Sequence, residues 1–134
     1  MILSSITELS LVGVFDRGVA NLERIVIRAN IDLNLGQFGI MLGYRNTNGL
    51  AIPYNDHLFW FGDGVVKQGE WLIVYTGQGQ GQISEFEDKK VYTVHWGKPT
   101  TVLAHSEVLP ILFRADAVTV AVPPLNLPQG GSST

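Results

Sequence analysis

Gly77, Gly79 and Gly81 alternate directly after the apolar run Trp71-Leu72-Ile73-Val74. A glycine-rich loop leaving a strand is one place where backbone N–H groups can cradle a phosphate. The spacing argues against that chemistry. A dinucleotide loop needs its third glycine where Gln82 stands, and a Walker loop must end in Gly-Lys-Ser/Thr, yet the next lysine is Lys89. No long helical pattern follows to supply free N–H groups and a dipole. The stretch is expected to be an interstrand loop whose glycines permit positive φ, so that alanine at Gly79 or Gly81 changes loop mobility and little else.

Histidine is the second possible source of chemistry. His57, His95 and either Asp56 or His105 are the ligands a metal site would use. Neither HxxxH nor HExxH occurs, and His95 shares one face of a strand pattern with Thr93, where a solvated or hydrogen-bonded imidazole is expected. The chain has no cysteine, which removes thiolate ligands, disulfides and cysteine nucleophiles. No GxSxG elbow is present. Asp56 and Asp63 fall in turn-like stretches where side-chain hydrogen bonding to the backbone accounts for them; loop carboxylates there would hold Ca²⁺ only weakly. No catalytic residue, metal or cofactor is expected, and the chain does not read as an enzyme.

The elements around these residues have a period of two. Ile25 and Ile27 alternate with Arg24, Val26 and Arg28; Phe38, Ile40, Leu42 and Tyr44 alternate with Gln37, Gly39, Met41 and Gly43. Trp71, Ile73 and Tyr75 alternate with Leu72, Val74 and Thr76, apolar on both faces as a central strand requires. Tyr92, Val94 and Trp96 form a further run, as do Val118, Val120 and Val122, which Pro123-Pro124 terminates. Turns are expected at Asn46-Thr47-Asn48-Gly49, Gly62-Asp63-Gly64, Lys67-Gln68-Gly69 and Trp96-Gly97-Lys98-Pro99. Ser84 with Glu87 matches a capping box and predicts one helical turn in SEFEDKK, while Pro110 breaks any helix in Ser106–Phe113. The reading is all-β, a sandwich over residues 1–122, with 123–134 as an extended or disordered tail.

The composition of 134 residues restricts the partners. Nine basic against twelve acidic residues leave a net charge of −3, and the basic residues form no stripe, so nucleic acid is not an expected partner. The segment MILSSITELSLVGVFD has neither a basic start nor an unbroken apolar stretch, and no run reaches the ~20 residues of a membrane span. An intracellular location is the default expectation. With 46% hydrophobic and only 16% charged residues, some apolar surface is left for a partner.

The run Asn21–Leu42, with Val65–Gln80 and Val94–Pro99, resembles the lamin-tail domain. Glu23 precedes the strand residues Ile25 and Ile27, Leu35-Gly36-Gln37-Phe38 steps into the next strand, Gln68-Gly69 leads into Trp71–Gly77, and Trp96-Gly97 follows. Phe38 stands where that family usually has Trp, and TTVLAHSEVLPILFRADAV departs from its usual polar turn. Over residues 20–122 the resemblance implies an immunoglobulin-like β-sandwich that works as a non-catalytic interaction or tethering module.

Two functions are compatible with this pattern. The first is protein interaction or assembly through segments 58–61 and 108–113, with Phe59, Trp60, Ile111 and Phe113 as contacts. It includes self-association through the uncharged run Ala117–Val122, where Thr119 and Ala121 are the positions to test. The second is glycan or small-ligand binding by exposed aromatics; adjacent Phe59 and Trp60 on a strand point to opposite faces, so one ring is available for display.

Overall fold

Ile25, Ile27, Val74, Ile40, Leu42 and Leu103 have no more than trace exposure, and they define one core between two sheets. The computed structural model describes residues 5–45, 48 and 51–122. Its strands are β1 (Leu9–Phe15), β2 (Arg24–Ala29), β3 (Leu33–Asn34), β4 (Phe38–Arg45), β5 (Ala51–Trp60), β6 (Val65–Val66), β7 (Trp71–Tyr75), β8 (Gln82–Phe86), β9 (Lys89–His95) and β10 (Val108–Arg114). Among the described residues the chain is all-β apart from a single 3₁₀ turn, Leu35–Gln37.

The larger sheet runs β1-β2-β7-β9-β8 and the smaller β10-β4-β5; β3 and β6 form a separate short pair. β7 and β9 are parallel, and every other pair is antiparallel. The period-two pattern fixes the inward set. Ile25, Ile27 and Ala29 of β2 and Leu72 and Val74 of β7 face Phe38, Ile40 and Leu42 of β4. Burial of each such side chain stabilises the fold by roughly 1.5–3 kcal/mol. β7 is central in its sheet, as its two apolar faces required.

A buried carboxylate fastens one end of this core. Glu23, 1% exposed, accepts from the N–H groups of Gly18 (3.0 Å), Val102 (2.8 Å) and Leu103 (3.2 Å) and from the Thr76 hydroxyl. It joins the β1–β2 turn, the end of β7 and the loop before β10. A charged acceptor with four donors satisfies groups that would otherwise be buried and unpaired.

Three expectations need correction. SEFEDKK forms no helical turn: β8 and β9 are a hairpin in which Glu87 (φ 50°) and Asp88 (φ 64°) make the two-residue connection. Positive φ at both central residues matches the right-handed twist of the flanking strands. Asp56 lies within β5, not in a turn. Ala117–Val122 belongs to no strand, because β10 already occupies the accessible edge of β4 and the chain departs after Ala115 donates to the Gln37 carbonyl (2.7 Å). The turns at Gly62, Gly69 and Gly97 occur as expected, each glycine with φ between 78° and 85°. The Asn46–Gly49 turn, apart from Asn48, and the tail 123–134 lie outside the described residues.

Candidate functional site

Glycines in β4 determine what the outer face of the smaller sheet can hold. A Cβ at Gly39 would stand 2.5 Å from the Phe113 ring and 2.6 Å from the Phe59 carbonyl; one at Gly43 would stand 2.7 Å from Ile111 Cδ1. Their absence lets neighbouring side chains close over β4. In register, Phe113 and Trp60 flank Gly39 while Ile111 and Leu58 flank Met41. The Trp60 and Phe113 rings meet edge to face at 5.6 Å, and the Trp60 indole N–H donates to the Gly36 carbonyl at 3.0 Å. The face formed by Leu58, Trp60, Met41, Leu109, Ile111 and Phe113 is wholly apolar. Leu58 remains 54% and Trp60 42% exposed.

Of the proposed contacts, Trp60, Ile111 and Phe113 therefore come together. Phe59 turns inward, packing on Trp96 (5.6 Å) and Phe61 (6.0 Å) against the core, as alternation along β5 demands. Thr119 and Ala121 are exposed in the segment beyond β10. At the other end of β5, Tyr44, Tyr54 and His57 form a ring cluster at 5.4 and 6.0 Å.

The histidines do not converge. His57 lies on β5, His95 on β9 and His105 in the loop before β10. No group of three His, Cys, Asp or Glu side chains that could hold a metal forms among the described residues. Asp56 reaches only His57 Nε2, at 3.6 Å.

The glycine loop serves the His95 ring. His95 stacks on Tyr75 (5.2 Å, 17° between planes), and Gly79 lies so close that a Cβ there would stand 2.4 Å from the imidazole. The loop leads into strand β8, not a helix. Gly79 is thus required by close packing, which corrects the expectation that it supplies only mobility. Alternation along β7 exposed Tyr75 as an outward ring, but nothing local in YTGQGQGQ indicated that the loop folds back over β9.

Outward residues of the larger sheet form cross-strand rows. Phe15, Arg24, Tyr75 and His95 are paired in succession across β1, β2, β7 and β9. The Arg24 guanidinium lies 5.7 Å from the Phe15 ring and 5.8 Å from Tyr75, held also by Asp16 at 2.6 Å. Arg28 lies 4.8 Å over Trp71. The two arginines on one strand face are thereby engaged with rings and a carboxylate of their own sheet.

No family model, curated protein or solved structure matches this chain. Among the described residues no helix is long and apolar enough to cross a membrane.

Proposed function

We propose that this chain is a non-catalytic interaction and assembly module, an immunoglobulin-like sandwich related to lamin-tail domains, whose first partner is a second copy of itself. The reading is carried by the bare apolar face of the smaller sheet, where Trp60, Leu58, Met41, Ile111 and Phe113 are contiguous. Contiguous apolar surface of this kind marks contact sites, and aromatic anchors dominate their energetics. Sedimentation of the wild type at high micromolar concentration should give a dimer or larger species. Leu58→Lys, which places a charge on an exposed outward position, should weaken that association at least about tenfold while leaving the denaturation midpoint nearly unchanged. A wild type that stays monomeric overturns the assignment.

The second reading, glycan binding, draws on the exposed rings Trp60, Tyr44 and Tyr54. It is disfavoured because the neighbours of Trp60 on its face are apolar side chains, whereas sugar sites pair a ring platform with convergent polar groups. Retention of the wild type on a polysaccharide array, lost in Trp60→Ala, would promote it.

A further inference from the structure

The smaller sheet is one strand short on the β10 side. β1 lies at the edge of the larger sheet and β10 at the edge of the smaller, and no strand among the described residues lies between them. Leu9, Leu11 and Val14 pair with the inward residues Ala29, Ile27 and Ile25, so they share the inward face of their sheet, yet Leu11 is 37% exposed. Two clefts, of about 740 and 470 Å³, open at this place. Both are lined by Leu11 and Ile111, which places them side by side along the groove between β1 and β10. Charges stand at its ends: Arg114 pairs with Glu8 at 2.7 Å, and the Arg17 guanidinium donates to the carbonyls of Leu103, His105 and Val108.

The free edge of β10 can be read from its hydrogen bonds. Ala115 N–H points to β4, so Leu109, Ile111 and Phe113 do as well, and Val108, Pro110, Leu112 and Arg114 point their backbone groups into the groove. The Val108 carbonyl, bonded to Arg17 on that side, agrees. Pro110, with no N–H to offer, sits on the unpaired side, where a strand tolerates proline.

The chain also carries a segment with a strand's sequence pattern and no sheet of its own. Ala117–Val122 alternates valine with small residues and has no charge; Val118, Val120 and Val122 are 73%, 76% and 82% exposed. Six extended residues span ~20 Å, close to the length of β10. Within one chain none of Ala117–Val122 lines either cleft: Ala115 continues the β4 ladder, and Asp116, which does line the first cleft, has its carboxylate held by Arg114 at 2.7 Å beside the Glu8 pair that closes that end.

We infer that the arm Ala117–Val122 of one copy adds as a strand to β10 of a second copy, with Val118, Val120 and Val122 filling the groove between β10 and β1. The inference rests on the self-assembly reading and adds to it a second contact, on the β10 edge of the smaller sheet and not on the outer face that carries Leu58 and Trp60. Backbone pairing to Leu112 and the Pro110 carbonyl gives affinity, and the alternate valines give the register. Thr119 and Ala121 then face away from the groove, so they are the tolerant positions and the valines the sensitive ones.

Sedimentation equilibrium on the full chain tests this with Val118→Asp and Val120→Asp against Thr119→Lys and Ala121→Lys. Each aspartate should weaken self-association at least about tenfold, and each lysine less than about threefold, because only the former buries a charge. Since the chain lacks cysteine, Leu11→Cys and Val120→Cys give a second measurement. Mixed under oxidising conditions, the two single variants should form a disulfide-linked heterodimer. A wild type that associates while the aspartate variants match it, or a Leu11→Cys/Val120→Cys double variant that crosslinks only within one chain, overturns the arm exchange and leaves assembly standing. A monomeric wild type overturns both.

Discussion

The two outer faces of this sandwich carry similar rings and finish them differently. On the larger sheet, Phe15, Tyr75 and Trp71 lie under Arg24 and Arg28, and the Gly79 loop approaches His95. On the smaller sheet, Trp60 and Phe113 pack on each other between Leu58 and Ile111, and the charged Arg45 stands at the far end of the same face of β4. An arginine over a ring covers apolar surface with its stem while keeping its head hydrated, so the first face is capped in part, with Phe15 and Phe86 still 45% and 54% exposed. Among the described residues no cation lies over the Trp60 or Phe113 ring of the second. Substitutions on the first side should therefore change stability and leave association alone, and substitutions on the second should do the reverse.

The severest test of that division is Glu23. Glu23→Ala leaves the N–H groups of Gly18, Val102 and Leu103 and the Thr76 hydroxyl without their acceptor, all at a site that is 1% exposed. A loss of roughly 3–5 kcal/mol is expected in urea denaturation, since several donors lose a charged partner together. Glu23→Gln keeps the shape and an acceptor oxygen, and should lose about half as much. The fraction that remains folded should associate as the wild type does. A variant with near-native stability would mean that the network is redundant, and one that is stable but monomeric would erase the distinction between the two sides.

Gly79→Ala is the next largest. The added Cβ meets a ring that is stacked on Tyr75, so either the loop or the imidazole must shift, at a cost of about 1–2 kcal/mol. Gly81→Ala has only the Thr93 carbonyl at 3.1 Å to relieve and should cost less. Thermal denaturation of the pair checks the order. Equal midpoints would return the loop to the role of a mobile connection and weaken the case that it packs on the His95 ring.

Much of this architecture is visible in the order of residues, for a physical reason: β2, β4, β7 and β9 each pack one face into the core, and burial imposes a strict period of two on Ile25/Ile27, Phe38/Ile40/Leu42, Leu72/Val74 and Tyr92/Val94. Features that depend on distant partners are not visible in this way. The Val118–Val122 run has a strand's pattern, but a pattern states only that a segment can pair; the edge it would need on β4 is taken by β10. β10 itself was concealed by Pro110, which is acceptable there because its missing N–H faces the unpaired side. Glu23 stood out as an acid at the start of a strand, yet three of its partners lie 53 to 80 residues away. Trp60 and Phe113 share a face through register across β4, which no local spacing encodes.

The smallest effect is expected at the seam between the two sides, where Glu8 on the approach to β1 pairs with Arg114 at the end of β10. The Arg114 hydrogen bond, with backbone N–H groups of Glu8 and Thr7, holds the Glu8 carboxyl below its ordinary value of 4.5, while Asp116 and Glu8 raise the guanidinium further above its own. A carboxyl whose folded pKa is depressed contributes stability that is fully present above the unfolded value and is lost as pH falls through the folded value. The contribution should therefore be constant from neutral pH down to about 4.5 and decline only below it. Both side chains retain some exposure, so screening keeps the effect small and added salt should reduce it further. Glu8→Gln should lower the neutral-pH denaturation midpoint slightly and flatten its decline below pH 4.5. Because the pair closes one end of the groove without lining its middle, the same substitution should leave the association constant within about threefold of wild type. A larger loss of association would make the seam part of the contact itself, and the boundary between the finished and the unfinished side would then run through β1 rather than beside it.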